Sequence, residues 1–140
     1  MAKFKFEGID KYVDSLEKIG GKNAEAVLKY AVYPGAAVVA DAIRAELDAN
    51  HGNGSGDLAK SLTLANMRND NGYINTKVSF AGYDSKGVPN ALKAAALESG
   101  TSRGQNATHF ISNTVKSVKE RAVNEMSKAL DEKIGQIMGV

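Results

Sequence analysis

A chain of 140 residues, 43% hydrophobic and 24% charged, has the make-up of one globular domain that can bury a core without staples. The absence of cysteine excludes a disulfide framework and a thiolate metal site. The formal charge of +2 is spread thinly, with bases and acids near balance along the whole chain, so the basic footprint of a DNA-binding domain is missing.

Residues 3–7, Lys3-Phe4-Lys5-Phe6-Glu7, alternate with period two and predict a short strand with Phe4 and Phe6 on one face. No apolar h-region follows, so no signal peptide is read, and no stretch reaches the apolar length of a membrane span. Asp10 is the expected cap of a helix marked by Tyr12, Val13, Leu16 and Ile19 and closed by Gly20-Gly21. Asn23 then caps a longer helix over 23–49, in which Val27, Leu28, Ala31, Val32, Val38, Val39, Ala42, Ile43 and Leu47 hold one register. Pro34-Gly35 interrupts it. Because the register survives, a kink is expected rather than a break.

Residues 50–56 form a Gly-rich loop, and Asp57 is placed to cap a single turn. Strands are predicted over 62–67 and 73–81, joined at Asn69-Asp70-Asn71-Gly72, where Asn-Gly is the strongest short hairpin signal. In the second strand Ile74, Thr76, Val78 and Phe80 point to the core, and Tyr73, Asn75, Lys77 and Ser79 to the polar side. After a loop over 83–89, Asn90 caps an Ala-rich run that stops at Glu98-Ser99-Gly100-Thr101. The last helix opens at His109-Phe110-Ile111 and carries Ile111, Val115, Val118, Ala122, Met126, Ala129, Leu130, Ile134 and Ile137 on one stripe. The expected architecture is one α+β domain, 1–140, with a small antiparallel β-sheet packed against two long α-helices. Phe4, Phe6, Leu62, Leu64, Ile74, Val78 and Phe80 should share its core.

Chemistry is hard to find. His51 and His109 stand alone, without the spaced partners that a metal needs. Gly54-Ser55-Gly56-Asp57-Leu58-Ala59-Lys60-Ser61 approaches a phosphate-binding loop, but Ala59 replaces a glycine, and a helix rather than a strand leads into it. Asn106-Ala107-Thr108 fits a glycosylation pattern without a secretory context. Asp41, Glu46 and Asp48 beside Arg44 make a solvated helix face. The sequence announces no catalytic residue, cofactor or metal, and the expectation is a protein that is not an enzyme.

Four features taken in order carry a resemblance. They are Phe4-Lys5-Phe6-Glu7-Gly8 leading into a helix; the long Ala/Val helix; Gly56-Asp57-Leu58-Ala59-Lys60-Ser61 leading into a strand; and Glu98-Ser99-Gly100-Thr101 followed by His109-Phe110-Ile111 and a terminal helix. Together they resemble the head–tail joining, or tail-completion, proteins of long-tailed bacteriophages, the gene-product-ten-like minor tail component family. Thr108 stands where that family often has proline, and Ala95-Ala96-Leu97 where it has an aromatic-Ala pair. The resemblance implies a structural virion protein, made in the host cytoplasm, that forms a hexameric ring at the neck or the head-proximal end of the tail. Its partners would be other copies of itself, connector or head-closure proteins, and tail-terminator or tail-tube proteins. DNA would only pass through the lumen, and no membrane is involved. The loops at 50–56 and 99–108 are then expected to order on contact with a neighbouring ring, which places Gly52, Asn53, Gly54, Ser55, Gly56, Glu98, Thr101, Arg103, His109 and Phe110 at interfaces. The alternative is a small nucleic-acid-binding protein using Lys116, Lys119, Arg121 and Lys128 of the last helix.

Overall fold

The computed structural model describes residues 2–3, 13–50, 56–71 and 73–138. In chain order the elements are β1 (Ala2–Lys3), α1 (Val13–Ile19), α2 (Gly21–Asn50), α3 (Asp57–Lys60), β2 (Leu62–Leu64), β3 (Arg68–Asp70), β4 (Tyr73–Asn75), β5 (Lys77–Phe80), α4 (Asn90–Ser99) and α5 (Phe110–Met138). The architecture is α+β, with small antiparallel sheets lying against the long helices α2 and α5.

With 30 residues, α2 is roughly 45 Å long. Val27, Ala31, Val32, Ala36, Val39, Ala40, Ile43 and Leu47 recur at helical spacing and are all buried. Pro34 lies inside the helix, which is assigned without a break. Gly35 beside it marks a close approach of α5: a Cβ there would sit 2.5 Å from Met126 Cγ and 3.2 Å from the Ala122 carbonyl oxygen. The pair runs antiparallel, since Phe110 clusters with Ile43 and Leu47 whereas Ile134 clusters with Val27 and Ala31. Leu16 and Ile19 of α1 cover this second cluster.

Gly35→Ala weighs two opposed effects. Helix propensity favours alanine by about 1 kcal/mol. Overpacking costs about 1–3 kcal/mol, and Met126 has no exposed surface into which it can swing. We expect a net loss of about 1 kcal/mol in urea unfolding, and a gain in stability would contradict the close crossing.

Along α5, Phe110, Thr114, Ala122, Met126, Leu130 and Ile134 are buried at multiples of four residues. Ile137, expected on this stripe, is 48% exposed, one turn beyond Ile134. By length and composition α2 also departs from expectation, because Asn23–Asn50 is long and apolar enough to cross a membrane. Much of its apolar side is already engaged: Val39, Ala40, Ile43 and Leu47 pack with α5 and the sheet, and Val27 and Ala31 with α5.

The predicted hairpin forms with one irregularity. Leu62↔Phe80 and Leu64↔Val78 pair in one register, and Arg68↔Asn75 and Asp70↔Tyr73 in the next. The Ala65 amide still donates to the Lys77 carbonyl, so Asn66 and Met67 together oppose Thr76. This bulge breaks the expected alternation, and Ile74, Asn75 and Thr76 are all buried. Thr76 Oγ1 donates to the Ala65 carbonyl at 2.7 Å, and Asn75, expected on the polar side, donates to Asp70 Oδ2 at 2.9 Å. Asn71, with φ 56°, occupies the left-handed conformation that a tight two-residue hairpin requires.

Leu62, Val78 and Phe80 join the main core with Val39, Ile43, Leu47, Phe110, Ala122 and Met126, and Leu64 packs against it. Phe4, Phe6 and the cap Asp10 lie outside the described residues. β1 pairs with β5 from Ala2 onward, one residue earlier than expected. Three expected caps are displaced: α2 already begins at Gly21, which puts Asn23 inside the helix. Gly56 holds the cap position of α3 with φ 73°, ahead of Asp57, and Pro89 holds that of α4. Asn90 begins α4 instead, and its Nδ2 donates to the Ala81 carbonyl at 2.9 Å.

Candidate functional site

The stretch that joins α4 to α5 holds most of the expected site residues. α4 ends at Ser99, and Gly100 turns the chain with φ 77° and ψ 178°, a conformation open to glycine alone. A Cβ there would lie 2.8 Å from the Gln105 carbonyl oxygen and 2.9 Å from the Ala107 nitrogen. The Thr101 amide donates to Gln105 O, and the Gln105 amide to Thr101 Oγ1. Thr108 gives both its amide and its hydroxyl to the Leu97 carbonyl, and the His109 amide binds the Glu98 carbonyl at 3.0 Å. The 99–108 loop, expected to order on contact with a partner, is stitched to its own helix.

No Ser, Thr, Asp or Asn occupies the cap position immediately before α5 to satisfy its first amides, and the Thr108 hydroxyl is bonded to Leu97 instead. His109 stands there with φ 51°, a left-handed conformation that costs about 1–2 kcal/mol for a side-chain-bearing residue. The cap comes from α4. Glu98 Oε2 accepts the Ile111 amide at 2.7 Å, and Oε1 accepts the Ser112 amide at 3.2 Å and the Ser112 hydroxyl at 2.6 Å. Burial pushes this carboxyl up, but the Ser112 hydroxyl, the two amides and the charge of His109 together outweigh it and hold the group below the usual carboxylate range.

These contacts sort the expected interface residues. Thr101, Arg103 and His109 are exposed, while Glu98 is half-buried and turned onto α5. Phe110 cannot meet a partner: it is 2% exposed, its ring 6.3 Å from that of Phe80. Gly56 flanks α3, and Gly52, Asn53, Gly54 and Ser55 lie outside the described residues. The phosphate-loop-like stretch is entered from α2 and left into β2, and Ser61 Oγ is spent on the Leu58 carbonyl. Among the described residues no group of three or more His, Asp or Glu could hold a metal ion. Lys116, Lys119, Arg121 and Lys128 are all exposed on α5, with Glu120 and Glu125 between them and Lys128 3.8 Å from Glu125.

Sequence reasoning missed an apolar groove of about 510 Å³ beside α4, walled by Leu58, Val88, Leu92, Ala96 and Leu97. The signal was present: Leu92 and Ala96 are four residues apart on α4, on a different face from the buried Ala94, and Val88 precedes the helix. The loop behind the groove is preformed. Asp84 Oδ1 accepts the Lys86 and Val88 amides, and Asp84 Oδ2 meets Lys93 Nζ at 3.2 Å. The Val88 amide, opposed by burial and helped by Lys93 and the Lys86 amide, holds the Asp84 carboxyl below its ordinary range.

No protein-family model, curated protein or solved structure matches this chain.

Proposed function

We propose that this chain is a structural protein of a long-tailed bacteriophage virion, assembling as a ring at the neck or the head-proximal end of the tail. The observation that carries this reading is the α4–α5 corner. The residues that bear the resemblance, Glu98, Gly100 and Phe110, are those on which the junction depends: a remote cap, a turn closed to other residues, and a core anchor. A motif that builds architecture suits a protein whose work is to hold a shape. Exposed apolar residues at separate places, Leu92 on α4 and Ile137 and Met138 at the end of α5, add surface for neighbours.

Mass by light scattering across a concentration series, paired with a gel shift on nonspecific DNA at low salt, tests this. A discrete oligomer that leaves DNA unshifted is expected. A compact dimer that shifts DNA would overturn the proposal.

A further inference from the structure

The three-stranded sheet ends on a strand whose outer edge is unpaired. β5 lies between β1 and β2, so β2, Leu62-Thr63-Leu64, is an edge. Hydrogen bonding alternates along an antiparallel pair, and two bonds fix its phase here: the Ala81 amide to Ser61 O and the Ala65 amide to Lys77 O. Thr63 therefore faces β5, and the N–H and C=O groups of Leu62 and Leu64 face outward. The Arg44 guanidinium bears out that direction, reaching Leu62 O from α2 at a long 3.4 Å. No other group among the described residues meets these two amides and two carbonyls.

A groove of about 700 Å³ runs along this edge, and its other wall is α2, through Tyr33, Ala37, Ala40, Asp41 and Arg44. Ala37 and Ala40 keep that wall low, and Tyr33 stands 57% exposed at one end. Asp41 and Arg44 pair with each other at 2.9 Å, so the wall offers no net charge. Edges left to solvent are commonly blunted by lysine, proline or an inward charge, and Leu-Thr-Leu carries none of these. The bulge at Asn66-Met67 marks where the regular edge stops.

Unpaired N–H and C=O groups at strand spacing select another backbone, and the groove beside them has room for one extended segment. We infer that β2 takes an added strand, supplied by an extended, uncharged segment of another protein and laid between β2 and α2. It runs antiparallel, the stronger pairing per residue. Its residues opposite Leu62 and Leu64 bond both of them and turn their side chains to the same face as those leucines, towards α2. Against Ala37 and Ala40 those side chains are small and apolar, and the residues between them lie beside the exposed Thr63 and are polar. A second copy does not fit with its own β2: paired across a twofold, it brings a second α2 to the side that this one fills. The inference goes beyond the ring reading and does not depend on it.

Hydrogen exchange read at single amides by NMR tests this on the whole chain. In the protein alone, the Thr63 and Ala65 amides should exchange at least roughly tenfold more slowly than those of Leu62 and Leu64. The probe is an acetylated, amidated Thr-Val-Thr-Val-Thr peptide at about 1–5 mM, since a few backbone bonds hold weakly. It should slow the Leu62 and Leu64 amides several-fold, and the same peptide N-methylated at both valines should not. Ala37→Trp, which fills the groove from a half-buried position, should abolish the slowing with circular dichroism unchanged. Leu62 and Leu64 amides that the peptide leaves unchanged overturn the proposal, as does equal slowing by the N-methylated peptide. Slowing that grows with protein concentration in the absence of peptide makes a second copy the occupant and overturns the assignment to another protein.

Discussion

Gly100→Ala should cost about 3 kcal/mol or more in urea unfolding, a large share of the 5–15 kcal/mol typical of a small domain. Two penalties coincide. The backbone has φ 77° with ψ 178°, where side-chain-bearing residues carry strain of about 1–3 kcal/mol. The added carbon also meets backbone, not a yielding side chain: Gln105 O at 2.8 Å and Ala107 N at 2.9 Å. Relieving that clash means opening the loop that carries the Thr101–Gln105 pairing and, through Thr108, the tie to Leu97. Gly104→Ala is the natural control. Its φ is 106°, but nothing lies within 4 Å of the added Cβ, so only strain remains. If the two substitutions cost the same, the steric account of this corner fails.

Glu98→Ala should remove about 2–3 kcal/mol, because three donors at the head of α5 lose one charged acceptor. Glu98→Gln keeps the shape and an acceptor oxygen, but loses the charge and turns an N–H₂ group towards the Ser112 amide or hydroxyl; its loss should be about half as large. The pH dependence has a fixed sign. The folded-state pKa is lowered, so the contribution is fully present above the ordinary glutamate range and is lost as pH falls through the depressed folded value. The gap between wild type and Glu98→Gln should therefore be constant near neutrality and shrink in acid. Hydrogen exchange gives a local reading: the Ile111 and Ser112 amides should lose protection in Glu98→Ala before those near Met126 do. A gap that widens in acid would contradict the cap.

Periodic signals were legible because burial enforces them. The stripes of α2 and α5 must each face something along several turns, so Val27 through Leu47 and Ala122 through Ile134 declare themselves. Asn-Gly fixed the turn because few residues tolerate its backbone. What escaped depends on distance in sequence. Glu98 caps a helix that starts twelve residues later, whereas capping is read from the residue next door. The bulge at Asn66-Met67 adds one residue to one strand, and no pattern in 62–67 marks it. Phe110, expected at an interface, lies four residues before Thr114 and so falls on the buried row. The α4 groove was hidden because a short Ala-rich helix reads as filler, although Leu92 has no place in the core.

The central claim is closure into a ring, and electron microscopy of the purified chain, sorted into two-dimensional class averages, tests it most directly. The account predicts closed particles of one subunit number with an open centre. A chain that stays monomeric at every concentration, alone and when mixed with phage connectors and tail tubes, would contradict it.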